Sequence, residues 1–285
     1  MREGPGRRAV ALGLGLALAG PGAQAAAPPA VAAELAGRTV RVAMPGGRRN
    51  APRLILLPGL GPPQTPQALA AVLPPLPGAL SIYAPLPFAP GSPGGGIDVL
   101  VRRQQEDYAG SLLVPLLSAA APSLEALSDA AAEAYAPAPD GAVHLFGFSM
   151  GGAAALAALS RSRLRLGTVV ALNAPLSVRA AVAAYERKLK TTYVPRGAGI
   201  FGAYDLAAEA DEIRRRQPGV KIRLLHNTDD DQFTTEDARR ACAALRAAGV
   251  DAALTLAPQG GHNALATHAD TQRRVRAILA QHLHA

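Results

Sequence analysis

Short apolar runs alternate along this chain with longer segments whose apolar positions recur every three or four residues. Residues 38–44, 54–57 and 80–84 read as strands, and the second is the continuous apolar run of a sheet buried on both faces. Thr65 offers a side-chain cap and Pro66 a first-turn residue whose missing N–H has no helical partner, so a helix is predicted from there. A Gly/Pro-rich loop to Gly96 leads into helical stretches over 98–119 and 123–135, with an interruption near Pro122. The pattern continues with a strand at 143–148, a helix at 150–160, strands near 166–172, 221–226 and 252–257, and helices at 235–248 and 265–283. Alternation of this kind predicts a mostly parallel sheet covered on both faces by helices. No internal repeat or second domain interrupts it, so 37–285 reads as one domain. The connection between the strand ending near Leu172 and the one beginning near Val220 is longer than a crossover needs, and 175–212 is expected to form a small cap.

The start of the chain has a different character. Arg2, Arg7 and Arg8 precede an apolar stretch (VALGLGLALAG) too short to span a bilayer, and Ala23-Gln24-Ala25 fits a small-x-small cleavage site. Residues 1–25 are therefore expected to be a signal peptide, cleaved near Ala25, with 26–36 a Pro/Ala linker. The mature protein would be periplasmic or secreted. The Arg7-Arg8 pair raises the twin-arginine route, and an uncleaved membrane anchor is the alternative.

Lys and Arg outnumber Asp and Glu by 29 to 21, but the basic clusters at 161–165, 214–216 and 273–276 lie on or beside helices without interleaved aromatics. They read as solvated faces, so no nucleic-acid partner is expected. Membrane contact is expected only through an uncleaved signal segment, and the oligomeric state is left open. Cys242 is the one cysteine, at helical spacing with Ala238 and Leu245, which marks a packing residue. No His or Cys pair falls at ligand spacing on one element; neither a metal nor a cofactor is expected.

Gly147-Phe148-Ser149-Met150-Gly151 carries the chemistry. A serine on a sharp strand-to-helix turn needs glycine two residues to either side, because strand and helix converge there. The turn exposes the hydroxyl and aims a helix N-terminus at the reacting carbonyl. The apolar strand running in and the alanine-rich helix running out are the context the motif requires.

A serine nucleophile needs a base and an orienting carboxylate. Of six histidines, His144 precedes the serine on its own strand, His226 ends a strand as a packing residue, His268 lies in the last helix, and His282 and His284 are terminal. His262 remains, after two glycines in the loop 258–263. For the acid, Asp229, Asp230 and Asp231 follow a strand end. Three adjacent carboxylates cannot all be buried, and the order Ser, Asp, His holds for any of them.

The elbow, the acid loop Leu224-Leu225-His226-Asn227-Thr228-Asp229-Asp230-Asp231 and the loop Gly260-Gly261-His262-Asn263 together resemble those of the α/β-hydrolase superfamily. The resemblance runs from about residue 38 to the C-terminus. It implies the α/β-hydrolase fold: a mostly parallel central sheet with helices on both faces and a short cap. It also selects Asp230, because relatives place the acid three residues after a glycine, whose position Asn227 occupies. Backbone N–H groups of Leu60 and Met150 are the implied oxyanion hole, although Leu57-Pro58-Gly59-Leu60-Gly61 has proline where relatives carry histidine. The run Leu172-Asn173-Ala174-Pro175-Leu176 and the short cap look most like small carboxylesterases and monoacylglycerol-lipase-like enzymes.

The implied activity is hydrolysis of carboxylic esters through an acyl-enzyme, with a small-molecule ester as partner. A peptidase, amidase or thioesterase, a cofactor-free haloperoxidase-like or lyase activity, and a non-catalytic binding protein are the alternatives. Tyr185, Tyr193, Phe201 and Tyr204 cluster within the expected cap. They would form either a wall for an apolar acyl or aryl group or the cap's own small core.

Overall fold

A computed structural model of the protein describes residues 28–45, 51–135 and 141–283. The expected signal peptide and its cleavage site lie outside the described residues. Eight strands form one sheet: β1 (Val31–Leu35), β2 (Arg38–Ala43), β3 (Arg53–Leu57), β4 (Leu80–Tyr83), β5 (Val143–Phe148), β6 (Leu166–Leu172), β7 (Lys221–Asn227) and β8 (Asp251–Ala257). Their order is β1-β2-β4-β3-β5-β6-β7-β8. The pairs β1–β2 and β2–β4 are antiparallel, and every pairing from β4 to β8 is parallel. This is the doubly covered, mostly parallel architecture that the strand–helix alternation predicts.

Helices α1 (Pro66–Val72), α2 (Ile97–Glu106), α3 (Val114–Tyr135), α4 (Met150–Arg161), α5 (Val178–Leu189), α6 (Ala210–Arg216), α7 (Thr235–Ala247), α8 (Ala264–Thr267) and α9 (Ala269–Leu283) connect the strands. Two apolar cores flank the sheet. One contains Leu116, Leu124, Leu156, Ile213 and Leu245 from α3, α4, α6 and α7. The other contains Leu69 of α1 with Val275 and Leu279 of α9. In α4 every residue from Ala153 to Leu159 is buried, so small side chains let this helix lie close to the sheet. Cys242 packs on the inner face of α7, as its spacing predicts. His144 is buried in β5 over Gly167.

Three expectations are corrected. Residues 26–36 are not simply a linker, because β1 lies within them and pairs with β2 through the two-residue turn Ala36-Gly37, both at positive φ (51° and 68°). A Val-Ala-Ala-Glu-Leu edge strand is too weakly alternating to be read locally; its backbone bonds to β2 create it. The helical break falls at Asp107, not Pro122. Asp107 is extended, and its carboxylate accepts from the Gly110 N–H (2.9 Å), starting a π-helical turn (Tyr108–Leu113) that runs into α3. Pro122 sits inside α3 with Ser118 on the solvent side, where water can satisfy the freed carbonyl. Finally, only part of 175–212 is cap-like. Its last segment, α6, lies against α4 and α7 as a sheet-covering helix, and α5 with the turn Ile200–Gly202 forms the rest.

Candidate active site

Neighbouring parallel strands end at one edge of the sheet, and each hands the chain to a loop at the site. Leu57 of β3 stands beside Gly147 of β5, Phe148 beside Leu172 of β6, Leu172 beside Leu225 of β7, and Asn227 beside Ala257 of β8. The carboxyl edge of a parallel sheet is where such folds place their ligands.

Ser149 sits between β5 and α4 with φ 53° and ψ −121°, a strained conformation for a residue with a side chain. Close approach explains the flanking glycines. A Cβ on Gly147 would lie 2.2 Å from the Gly151 carbonyl oxygen, and one on Gly151 would lie 2.3 Å from the Pro58 carbonyl oxygen. The Ser149 Oγ and His262 Nε2 are 2.9 Å apart, and His262 Nδ1 lies 3.0 Å from Asp230 Oδ2. The Asp230 side chain is fully buried and that of His262 nearly so. A carboxylate at Nδ1 holds the proton there and leaves the Nε2 lone pair facing the serine hydroxyl. Phe148 and Phe233 pack around the imidazole, with ring centroids 5.5 and 5.2 Å from it.

The three adjacent carboxylates have divided roles. Asp230 Oδ1 accepts from the backbone N–H of Gln232 (2.7 Å) and Phe233 (3.0 Å), a local turn that turns the carboxylate inward. Asp229 instead accepts from Gly261 N–H (2.9 Å) and Gly260 N–H (3.0 Å), and these donors, Gly261 foremost, hold its carboxyl below its usual range. Asp231 is exposed. His226 is buried and its Nε2 meets the Phe233 carbonyl oxygen at 3.0 Å. Burial keeps its pKa below the ordinary value, against the pull of the Asp230 carboxylate and the Phe233 carbonyl.

Sequence reasoning passed over two buried asparagines. Asn173, which follows β6, donates from Nδ2 to the carbonyls of Gly261 (3.1 Å) and His262 (3.0 Å), and its Oδ1 accepts from Asn227 N–H (2.9 Å). Asn227 Nδ2 donates to the same Gly261 carbonyl (2.9 Å). Both residues stood in the quoted motifs, but nothing local in those motifs shows which loop an amide will reach.

Of the other expected site residues, Met150 and Leu60 lie beside the elbow and the four aromatics do not line it together. Met150 opens α4, so its N–H has no partner within the helix. Leu60 lies in the loop after β3, whose Leu57-Pro58 backbone is pressed against Gly151. Tyr185 stacks on Tyr108 (4.3 Å, 7°), Tyr193 donates from its hydroxyl to Asp107 Oδ1 (2.5 Å), and Phe201 meets Tyr193 edge-on (6.3 Å). Tyr204 does not belong to a substrate wall. It is 1% exposed and packs beneath Arg161, at the end of α4 opposite Ser149. An open cleft of about 690 Å³ borders His262, lined among others by Ala184, Arg187, Lys188, Asp231 and Gln232. Among the described residues no cluster of His, Cys, Asp or Glu is placed to hold a metal ion.

Residues 116–205 match a phospholipase/carboxylesterase family model. No curated protein matches the chain in sequence. Among solved structures, TT1662 of Thermus thermophilus superposes with a TM-score of 0.67 at 20% identity, over 90% of this chain and 98% of that one. The Pyrococcus furiosus esterase PF2001 gives 0.60 at 13% identity, over 92% of this chain and all of that one. The acylaminoacyl peptidase of Pyrococcus horikoshii gives 0.63 at 12% identity; the match covers 86% of this chain and 39% of the peptidase. Identities this low establish a shared fold.

Proposed function

Because this chain has the α/β-hydrolase fold, we propose that it is a serine hydrolase cleaving carboxylic esters through Ser149, His262 and Asp230. The continuous chain of contacts from Asp230 Oδ2 through His262 to Ser149 Oγ carries this reading. His262 takes the hydroxyl proton as the oxygen attacks an acyl carbonyl, and Asp230 stabilises the imidazolium. The backbone N–H groups of Met150 and Leu60 receive the oxyanion. His262 then returns its proton to the departing alcohol, and water releases the acyl-enzyme by the reverse steps.

The open cleft beside His262 is also bordered by Arg187, Lys188 and Asp231. Tyr185 stacks on Tyr108 in the π turn, while Tyr193 packs on Phe201 and bonds Asp107 at the turn's start, which supports the cap's own core as their main role. Export remains our reading of the first 25 residues, resting on the charged start and apolar run alone.

The test is hydrolysis of p-nitrophenyl esters from acetate to laurate by the mature protein and its Ser149→Ala variant, with peptide p-nitroanilides alongside. Ester turnover lost in the variant supports the reading. Turnover of the anilides alone would make the protein a peptidase, and equal ester rates from both proteins would remove Ser149 from the chemistry.

A further inference from the structure

We propose that Asn173 and Asn227 form an amide clamp that positions the catalytic histidine by holding the carbonyls of Gly261 and His262. The inference rests on His262 being the general base. The peptide units leading to His262 are intrinsically loose, since Gly260 and Gly261 take φ of 123° and 60°, regions glycine enters and leaves freely. Asp229 secures their N–H groups from the solvent side. From the protein side, two amides converge on one carbonyl: Asn173 Nδ2 and Asn227 Nδ2 both donate to Gly261 O, and Asn173 Nδ2 also reaches His262 O.

The clamp is anchored at both ends. Asn173 N–H donates to Leu225 O (3.0 Å), and Asn173 Oδ1 takes the Asn227 N–H, so the tips of β6 and β7 are locked before either amide reaches the loop. Both residues are fully buried. Asn227 also bears a cost. Its Oδ1 is buried without a partner among the described residues, which is unfavourable for an amide in a low-dielectric interior. This one is satisfied only at the end that faces the histidine loop, and a glycine, which the superfamily pattern puts at this position, could not make the contact.

Positioning and packing roles separate experimentally. Asn173→Ala and Asn227→Ala are compared with wild type for kcat and KM on p-nitrophenyl butyrate, inactivation rate by a fluorophosphonate, thermal midpoint, and the downfield Nδ1 proton of His262 by NMR. Displacing a base by about 1 Å costs roughly 100-fold. Asn173→Ala is expected to lower kcat by about that factor with KM within about twofold. Asn227→Ala, which also removes the orphaned oxygen, is expected to lower kcat several-fold without lowering the thermal midpoint. In both variants the His262 Nδ1 proton should broaden or exchange faster. The proposal is overturned if kcat and the Nδ1 proton stay at wild-type values in Asn227→Ala, whether or not its thermal midpoint changes. Should Asn173→Ala fail to fold, Asn227→Ala carries the test. If the wild type neither hydrolyses esters nor reacts with the fluorophosphonate, the ester reading fails by itself. The Nδ1 proton still decides the clamp: weakened in the variants it stands, unchanged it falls.

Discussion

Gly151→Ala tests how tightly the serine turn is coupled to the loop that carries Leu60. The new Cβ would lie 2.3 Å from the Pro58 carbonyl oxygen and 2.5 Å from that of Leu57. An ordinary carbon-to-oxygen contact is roughly 3.3–3.6 Å, so either α4 or the Leu57-Pro58 backbone must retreat by about 1 Å. Both obstacles are backbone, and neither can rotate away as a long side chain would. Two opposing terms set the stability. Alanine gains about 1 kcal/mol of helix propensity over glycine, and overpacking costs about 1–3 kcal/mol. The net loss is about 0–2 kcal/mol, or up to roughly 4 °C in the melting midpoint for a chain of this size. Activity should suffer more, because the retreating backbone leads directly into Leu60, the proposed oxyanion donor. A mispositioned oxyanion donor costs about 100-fold or more in kcat. Initial rates on p-nitrophenyl acetate and a thermal melt, with Gly197→Ala as the control in open space, measure both. Wild-type kcat in Gly151→Ala would refute the coupling of loop and elbow.

Further outcomes follow from the same geometry. Asp230→Asn keeps the shape but presents an amide N–H to His262 Nδ1, favouring the wrong tautomer; kcat should fall about 10⁴-fold, and a fall below tenfold on the same ester would remove Asp230 from the triad. His226, held neutral by burial below its ordinary value of 6.5, makes the unfolded state the better proton binder at lower pH. Stability is therefore expected to decline as pH falls below about 6.5, and His226→Gln, which retains a donor for Phe233 O, should flatten that slope in thermal melts taken from pH 7.5 to 5; an unchanged slope contradicts the assignment. The buried Tyr204 hydroxyl has no partner among the described residues, so Tyr204→Phe is expected to hold or raise the melting midpoint while kcat stays unchanged. A large loss of activity there would return Tyr204 to the substrate site.

What was legible in the sequence was local. The glycines around Ser149 announce a turn that only small residues allow, the two glycines before His262 mark a loop, and the apolar runs with their Thr65-Pro66 helix start set the order of elements. Each depends on residues within a few positions of one another, where backbone sterics and capping act. Other features are properties of distant pairs. Val31–Leu35 is a strand because β2 lies beside it, and its alanine-rich pattern carries little signal of its own. Pro122 stays helical because Ser118 faces water, while Asp107 breaks the helix by bonding forward to Gly110. Tyr204 is hidden beneath Arg161 although it shares a segment with partly exposed aromatics. Three adjacent aspartates are chemically alike; the resemblance picks out Asp230 by its offset from Asn227, and the physical difference lies in the turn that buries Asp230 and the glycine N–H groups that engage Asp229. The hydrogen bonds that hold His262 span 88 and 89 residues from Asn173 and 34 from Asn227. An amide's donors and acceptors are set by its chemistry, but which carbonyl they meet is decided when the strands come together.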